Sequence, residues 1–102
     1  MSQFKKTNKT VVCNDGFSMS VQASRTHYCD PKDDVGPYTH VEVGMPSAYD
    51  FYLQRYAEDP DNPTGTVYGW VPADTITMCI DAHGGMADGE LPPLVKTEIE
   101  DE

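Results

Sequence analysis

The chain is short of basic residues: seven Lys and Arg stand against 17 Asp and Glu, a net charge of −10 over 102 residues with histidine neutral. Such a surface repels phosphate backbones and anionic bilayers, which disfavours direct nucleic-acid binding and membrane-surface binding. A basic protein surface is the partner that this charge favours, although acidity also serves plain solubility. The chain also lacks any apolar run near the about 18 residues of a membrane-spanning helix. Met1 to Thr10 carry charge with no apolar stretch after them, so no secretory leader is expected and a cytoplasmic setting is. Cysteine is scarce. Cys13, Cys29 and Cys79 are widely spaced, fit no small disulfide framework and suit a reducing compartment, with one bridge and a spare thiol as the alternative. There is no phosphate-cradling loop with its lysine, no Gly-x-Ser-x-Gly elbow and no 12-residue calcium loop. The acidic loops 30–34 and 58–62 read as solvated surface.

What is present suits one small domain. Six Tyr, three Phe and one Trp argue for a folded core, because each ring can bury substantial apolar area. Residues 1–9 read as a flexible polar lead, 10–86 as the folded domain and 87–102 as an acidic tail. The tail holds six acids against Lys96 alone and is expected to be mobile when free.

Within 10–86 the pattern is β-β-β-α-β-α. Phe17, Met19, Val21 and Ala23 alternate with Ser18, Ser20, Gln22 and Ser24, the period of a half-buried strand. Asn14-Asp15-Gly16 before it suits a tight hairpin loop to Thr10–Cys13. After a loop over 25–37, residues 38–43 resume as a strand. Val41, Val43 and Met45 are expected on one side and Tyr38, His40 and Glu42 on the other. Ser47 and Asp50 resemble a capping box, predicting a helix to about Ala57 with Tyr49, Tyr52, Leu53 and Tyr56 along one stripe. A strand over 66–71 and a helix over 73–83 follow, the latter stopped by Gly84-Gly85. Its inward side is expected to carry Ile76, Ile80 and His83. The fold class is therefore α+β, a small antiparallel sheet of about four strands with two helices on one face.

Two constellations carry chemistry. His27-x-Cys29 and Cys79-x-x-x-His83 offer four zinc ligands, the latter pair on one helical face. Neither half has the usual knuckle spacing, so no metal or other cofactor is expected; Cys79 then reads as core and His83 as a helix-end cation. Cys29 with His27 as nucleophile and base is poor geometry, since alternate residues of an extended chain point apart. The second constellation is aromatic. Tyr49, Tyr52 and Tyr56 beside Glu42, Asp50, Glu58, Asp59 and Asp61 have the composition of a protein-binding face, or of rings that straddle core and water.

The runs DGFSMSVQAS (15–24), HYCDP (27–31), GPYTHVEVGMPS (36–47), VYGWVP (67–72) and IDAHGGM (80–86) resemble small uncharacterised proteins of tailed bacteriophages, over about residues 10–86. That resemblance implies a host-directed role in the host cytoplasm, such as inhibition of a defence protein in the manner of an anti-CRISPR. The combined expectation is a non-enzymatic inhibitor whose acidic, Tyr-rich face binds a basic host protein, one that itself handles nucleic acid. A module sequestering a small molecule, or a small Cys/His zinc protein or hydrolase, is the alternative.

Overall fold

The alternation at 17–24 becomes a register. In the computed structural model, which describes residues 7–95, strand β1 (Val11–Cys13) pairs antiparallel with β2 (Ser18–Gln22), with Val11 opposite Met19. Met19 and Val21 are fully buried, while Ser18 and Ser20 lie on the other face, as the period requires. The loop closes through Cys13 N–H to the Phe17 carbonyl and Gly16 N–H to the Cys13 carbonyl, with Gly16 at a φ of +97°. Strand β3 (His40–Gly44) pairs with β2, and β4 (Val67–Pro72) pairs with β3. Helix α1 (Ala73–Ala82) follows directly, its first N–H donating to the Thr39 carbonyl. It turns Ile76, Cys79 and Ile80 onto the sheet, an i, i+3, i+4 stripe. Each fully buried Val, Ile or Met of this core contributes about 1.5–3 kcal/mol relative to exposure.

Among the described residues the sheet has five strands, not four, in the order β4-β3-β2-β1-β5. The added strand β5 (Met86–Asp88) pairs with β1. The chain expected to leave the fold at 87 instead stays on it. Glu90 N–H donates to the Lys9 carbonyl, Tyr38 N–H to the Pro93 carbonyl and Val95 N–H to the Tyr38 carbonyl. Leu91 and Leu94 pack against the core. Gly89 permits this path: any Cβ there would collide with the Thr10 carbonyl, and its φ is +108°. The remainder of the expected tail, 96–102, and most of the expected lead, 1–6, lie outside the described residues.

The second helix is a correction. Residues 47–50 are irregular, 51–53 form a turn, and only Gln54–Tyr56 make a single 3-10 turn. Ser47 does not cap a helix; its Oγ accepts from Ser18 N–H, tying the segment to β2. Asp50 caps instead, its Oδ2 accepting from the N–H groups of Tyr52 and Leu53. The chain must then return so that Glu58 N–H can reach the Val67 carbonyl at the start of β4, and a helix to Ala57 would carry it past. Two side-chain placements also change. Tyr38 is buried rather than outward, its hydroxyl donating to the Asp33 carbonyl. Met45 is exposed, at a φ of +47° where β3 has ended.

Candidate functional site

Three loops converge at the C-terminal end of α1. The helix stops in a Schellman arrangement: Gly85 N–H reaches the Ile80 carbonyl and Gly84 N–H the Asp81 carbonyl, with Gly84 at a φ of +88°. The β1–β2 turn docks there through Asn14 N–H to the Gly85 carbonyl and Asp15 N–H to the His83 carbonyl. The 47–53 segment brings Asp50 to the same point. His83 therefore lies between two carboxylates, with Nδ1 2.7 Å from Asp15 Oδ2 and Nε2 2.7 Å from Asp50 Oδ1. The ring stacks on Phe17, centroids 4.0 Å apart and planes within 6°.

With a carboxylate at each nitrogen, the imidazolium can donate to both. Burial pushes the His83 pKa down, but the hydrogen bonds and charges of Asp15 and Asp50 together hold it above its usual 6.5. The Asp15 carboxyl lies below its usual 3.8 because it accepts from Phe17 N–H and then from His83. Asp50, only 6% exposed, divides its oxygens between this histidine and the turn that it caps. It is not on the surface, so the expected partner-binding face loses one acid.

Cys79 lies beside this pair. Its Sγ, an Asp50 oxygen and a His83 ring nitrogen lie within 4.8 Å of one another. Burial, then the Asp50 carboxylate, pushes the Cys79 thiol far up, so it is a protonated thiol and not an activated nucleophile. His27 and Cys29 do not join the cluster. His27 Nδ1 pairs with Ser24 Oγ at 2.7 Å, and the Cys29 thiol donates to the Ser24 carbonyl. Burial raises the Cys13 and Cys29 thiols too, and all three cysteines are free.

The outer side of residues 49–56 is built differently. Tyr49, Tyr52 and Tyr56 line a cleft of about 370 Å³ together with Phe51, Arg55 and Met78. Phe51 is 76% and Tyr49 57% exposed. Met78 comes from the side of α1 turned away from the sheet, so a helix and a turn segment form the two walls. Glu58, Asp59 and Asp61 are exposed on the loop that follows, tied back by Gln54 Nε2 donating to the Pro60 carbonyl. Glu42 is elsewhere, on the open face of the sheet, where it accepts from Tyr28 N–H. That face carries a second aromatic pair, Tyr28 stacked on Trp70 at 5.0 Å with the Lys32 ammonium 5.7 Å from the Tyr28 ring.

Sequence reasoning brought the three tyrosines together but missed Phe51, Met78 and Asp15. Phe51 lay off the assumed helical stripe, and Met78 lay on the helix side that burial arguments ignore. Asp15 read only as a turn former. No protein-family model matches the chain, and no curated protein or solved structure does either. Among the described residues no helix is long and apolar enough to cross a membrane.

Proposed function

We propose that the protein is a non-enzymatic binding module that docks a basic protein surface onto the aromatic cleft and its acidic margin. The observation that carries this reading is the exposure of Phe51 and Tyr49, two large apolar side chains on the wall of one cleft. A contiguous apolar patch rimmed by polar groups marks an interaction site more often than scattered exposed residues do. Charge complementarity selects the partner. Glu58, Asp59 and Asp61, exposed on the loop that follows the cleft-lining tyrosines, suit an arginine or lysine side chain, which carboxylates and a π surface can hold together. Arg55, on the same wall, can answer a carbonyl or carboxylate of that partner. The mechanism is occlusion, with the module covering cations that its partner would otherwise use for nucleic acid. The resemblance to small phage proteins is the reason for taking the partner as a host protein and the role as anti-CRISPR-like inhibition in the host cytoplasm.

The test is quantitative capture from bacterial host lysate with the full chain, alongside Phe51→Ser and a Glu58→Lys/Asp59→Lys variant. The expected result is a stoichiometric basic protein, lost with Phe51→Ser and released at lower salt from the charge variant. Capture that neither variant changes would sink the proposal. An empty eluate with a small molecule retained in the cleft would favour sequestration instead, since about 300 Å³ suffices for a small ligand.

A further inference from the structure

We propose that Asp50, Cys79 and His83 form a zinc site, with Asp15 as the positioning residue behind His83. Cys79 lies in the last turn of α1 and His83, four residues on, is its C-cap, and the segment at 50–53 supplies the third ligand. The donor set is thiolate, imidazole and carboxylate, the three ligand types that zinc accepts. Their donor atoms already lie within 4.8 Å of one another. Tetrahedral zinc with bonds of roughly 2.0–2.3 Å needs donors roughly 3.3–3.8 Å apart. The 2.7 Å separation of His83 Nε2 from Asp50 Oδ1 must therefore open by roughly half an ångström or slightly more.

The surroundings favour that exchange. Asp50 Oδ2 is committed to the N–H groups of Tyr52 and Leu53, which orients Oδ1 toward the cluster. Asp15 Oδ2 accepts a hydrogen bond from Nδ1–H of His83, which keeps that proton on the ring and leaves Nε2 as the ligand nitrogen. A carboxylate behind a ligating histidine is the common way that zinc sites fix ring orientation and tautomer. Charge closes as well: one carboxylate and one thiolate neutralise the dication in a place where unbalanced charge is costly. Coordination releases two protons to bulk water, one from Sγ and one from Nε2. Cys79 and Asp50 are buried and the His83 side chain is 20% exposed, so an ion enters the cluster past the histidine. Three protein ligands leave the fourth position to water. Spacing alone argued against zinc because the third ligand comes from a distant turn and not from a second knuckle. The site does not depend on the docking reading of the cleft.

The experiment loads chelator-treated full chain with Zn²⁺, and separately with Co²⁺ as a spectroscopic probe. One zinc per chain by elemental analysis, with a thiolate-to-cobalt absorption band, is the expected result. Cys79→Ser should remove that band, with circular dichroism confirming the fold. Asp15→Asn should keep the band and weaken affinity about 10–100-fold. Substoichiometric zinc in the wild type, a cobalt complex without the thiolate band, or zinc affinity unchanged in His83→Gln would each overturn the proposal.

Discussion

The two sides of residues 49–56 follow opposite rules within one short segment. Inward, Asp50 and Leu53 are buried, and the Asp50 carboxylate accepts from two backbone N–H groups, one imidazole and the Cys79 thiol. Outward, Tyr49 and Phe51 stand largely in water, Phe51 edge-on to Tyr52. The polar side is where the fold is held, because a buried charge tolerates no missing partner. The apolar side adds little to folding, because exposed area has not been removed from water. Free energy not used in folding remains for a partner, so the contrast separates stability from binding within a few residues.

The sharpest way to break this contrast is Asp50→Ala. It strips the cap from Tyr52 and Leu53 and leaves His83 with Asp15 alone. We expect a loss of about 3 kcal/mol in urea unfolding of the metal-free chain. A loss below about 0.5 kcal/mol would mean that the inner side is no anchor.

A smaller effect should appear with pH, measured in chelator. His83 has its pKa raised in the folded chain, so its contribution is complete below about 6.5 and declines as pH rises through the higher folded value. Asp15 has its pKa lowered, so its contribution is present above about 3.8 and is lost as pH falls through the lower folded value. The pair therefore supports the fold most between those limits. Phe17→Leu, which removes the stacked ring but no charge, should keep this profile, while Asp15→Asn combined with His83→Gln should flatten it. A wild-type urea midpoint that does not fall above pH 6.5 would contradict the paired arrangement.

The smallest effect on folding should come from the outer side. Phe51→Ser is expected to shift stability by no more than about 0.5 kcal/mol while weakening partner binding by about 2 kcal/mol, roughly 30-fold in Kd. Equal losses in both would show that the ring belongs to the core. Deleting residues 96–102 should weaken binding only modestly. A truncation from 88 would instead remove Asp88 from β5 and the strap through Val95, so it tests folding rather than the tail.

How far the sequence could be read depends on where the partners of each segment lie. The first hairpin and α1 carry their signals locally, in the Phe17–Ala23 alternation and in Ile76, Ile80 and the glycine pair. The segment 47–57 carries a false local signal. Ser47 and Asp50 have the chemistry of helix caps, but their oxygens are claimed by Ser18 and, in part, by His83, both remote in sequence. Strand β5 gives almost no signal, since Met86, Ala87 and Asp88 are all exposed and their pairing is through the backbone. The helical pair Cys79 and His83 was visible from spacing. The two carboxylates that meet His83 were not, because only the folded turns bring Asp15 and Asp50 together.

The position of β5 bears on how the chain is made. Among the described strands β1 emerges from the ribosome first, yet one of its two neighbours in the sheet, β5, emerges last. Until residue 88 arrives, that side of β1 presents unpaired N–H and C=O groups to any other extended chain. A nascent polypeptide stalled before Met86 would therefore display Val11–Cys13 as a free sheet edge, and such products should be prone to aggregate or to recruit chaperones. Completion of the sheet waits on the most remote part of the sequence, where loop-closure entropy is greatest. A late step in folding, visible as protease resistance gained only once Met86–Asp88 have cleared the ribosome, is the consequence for synthesis.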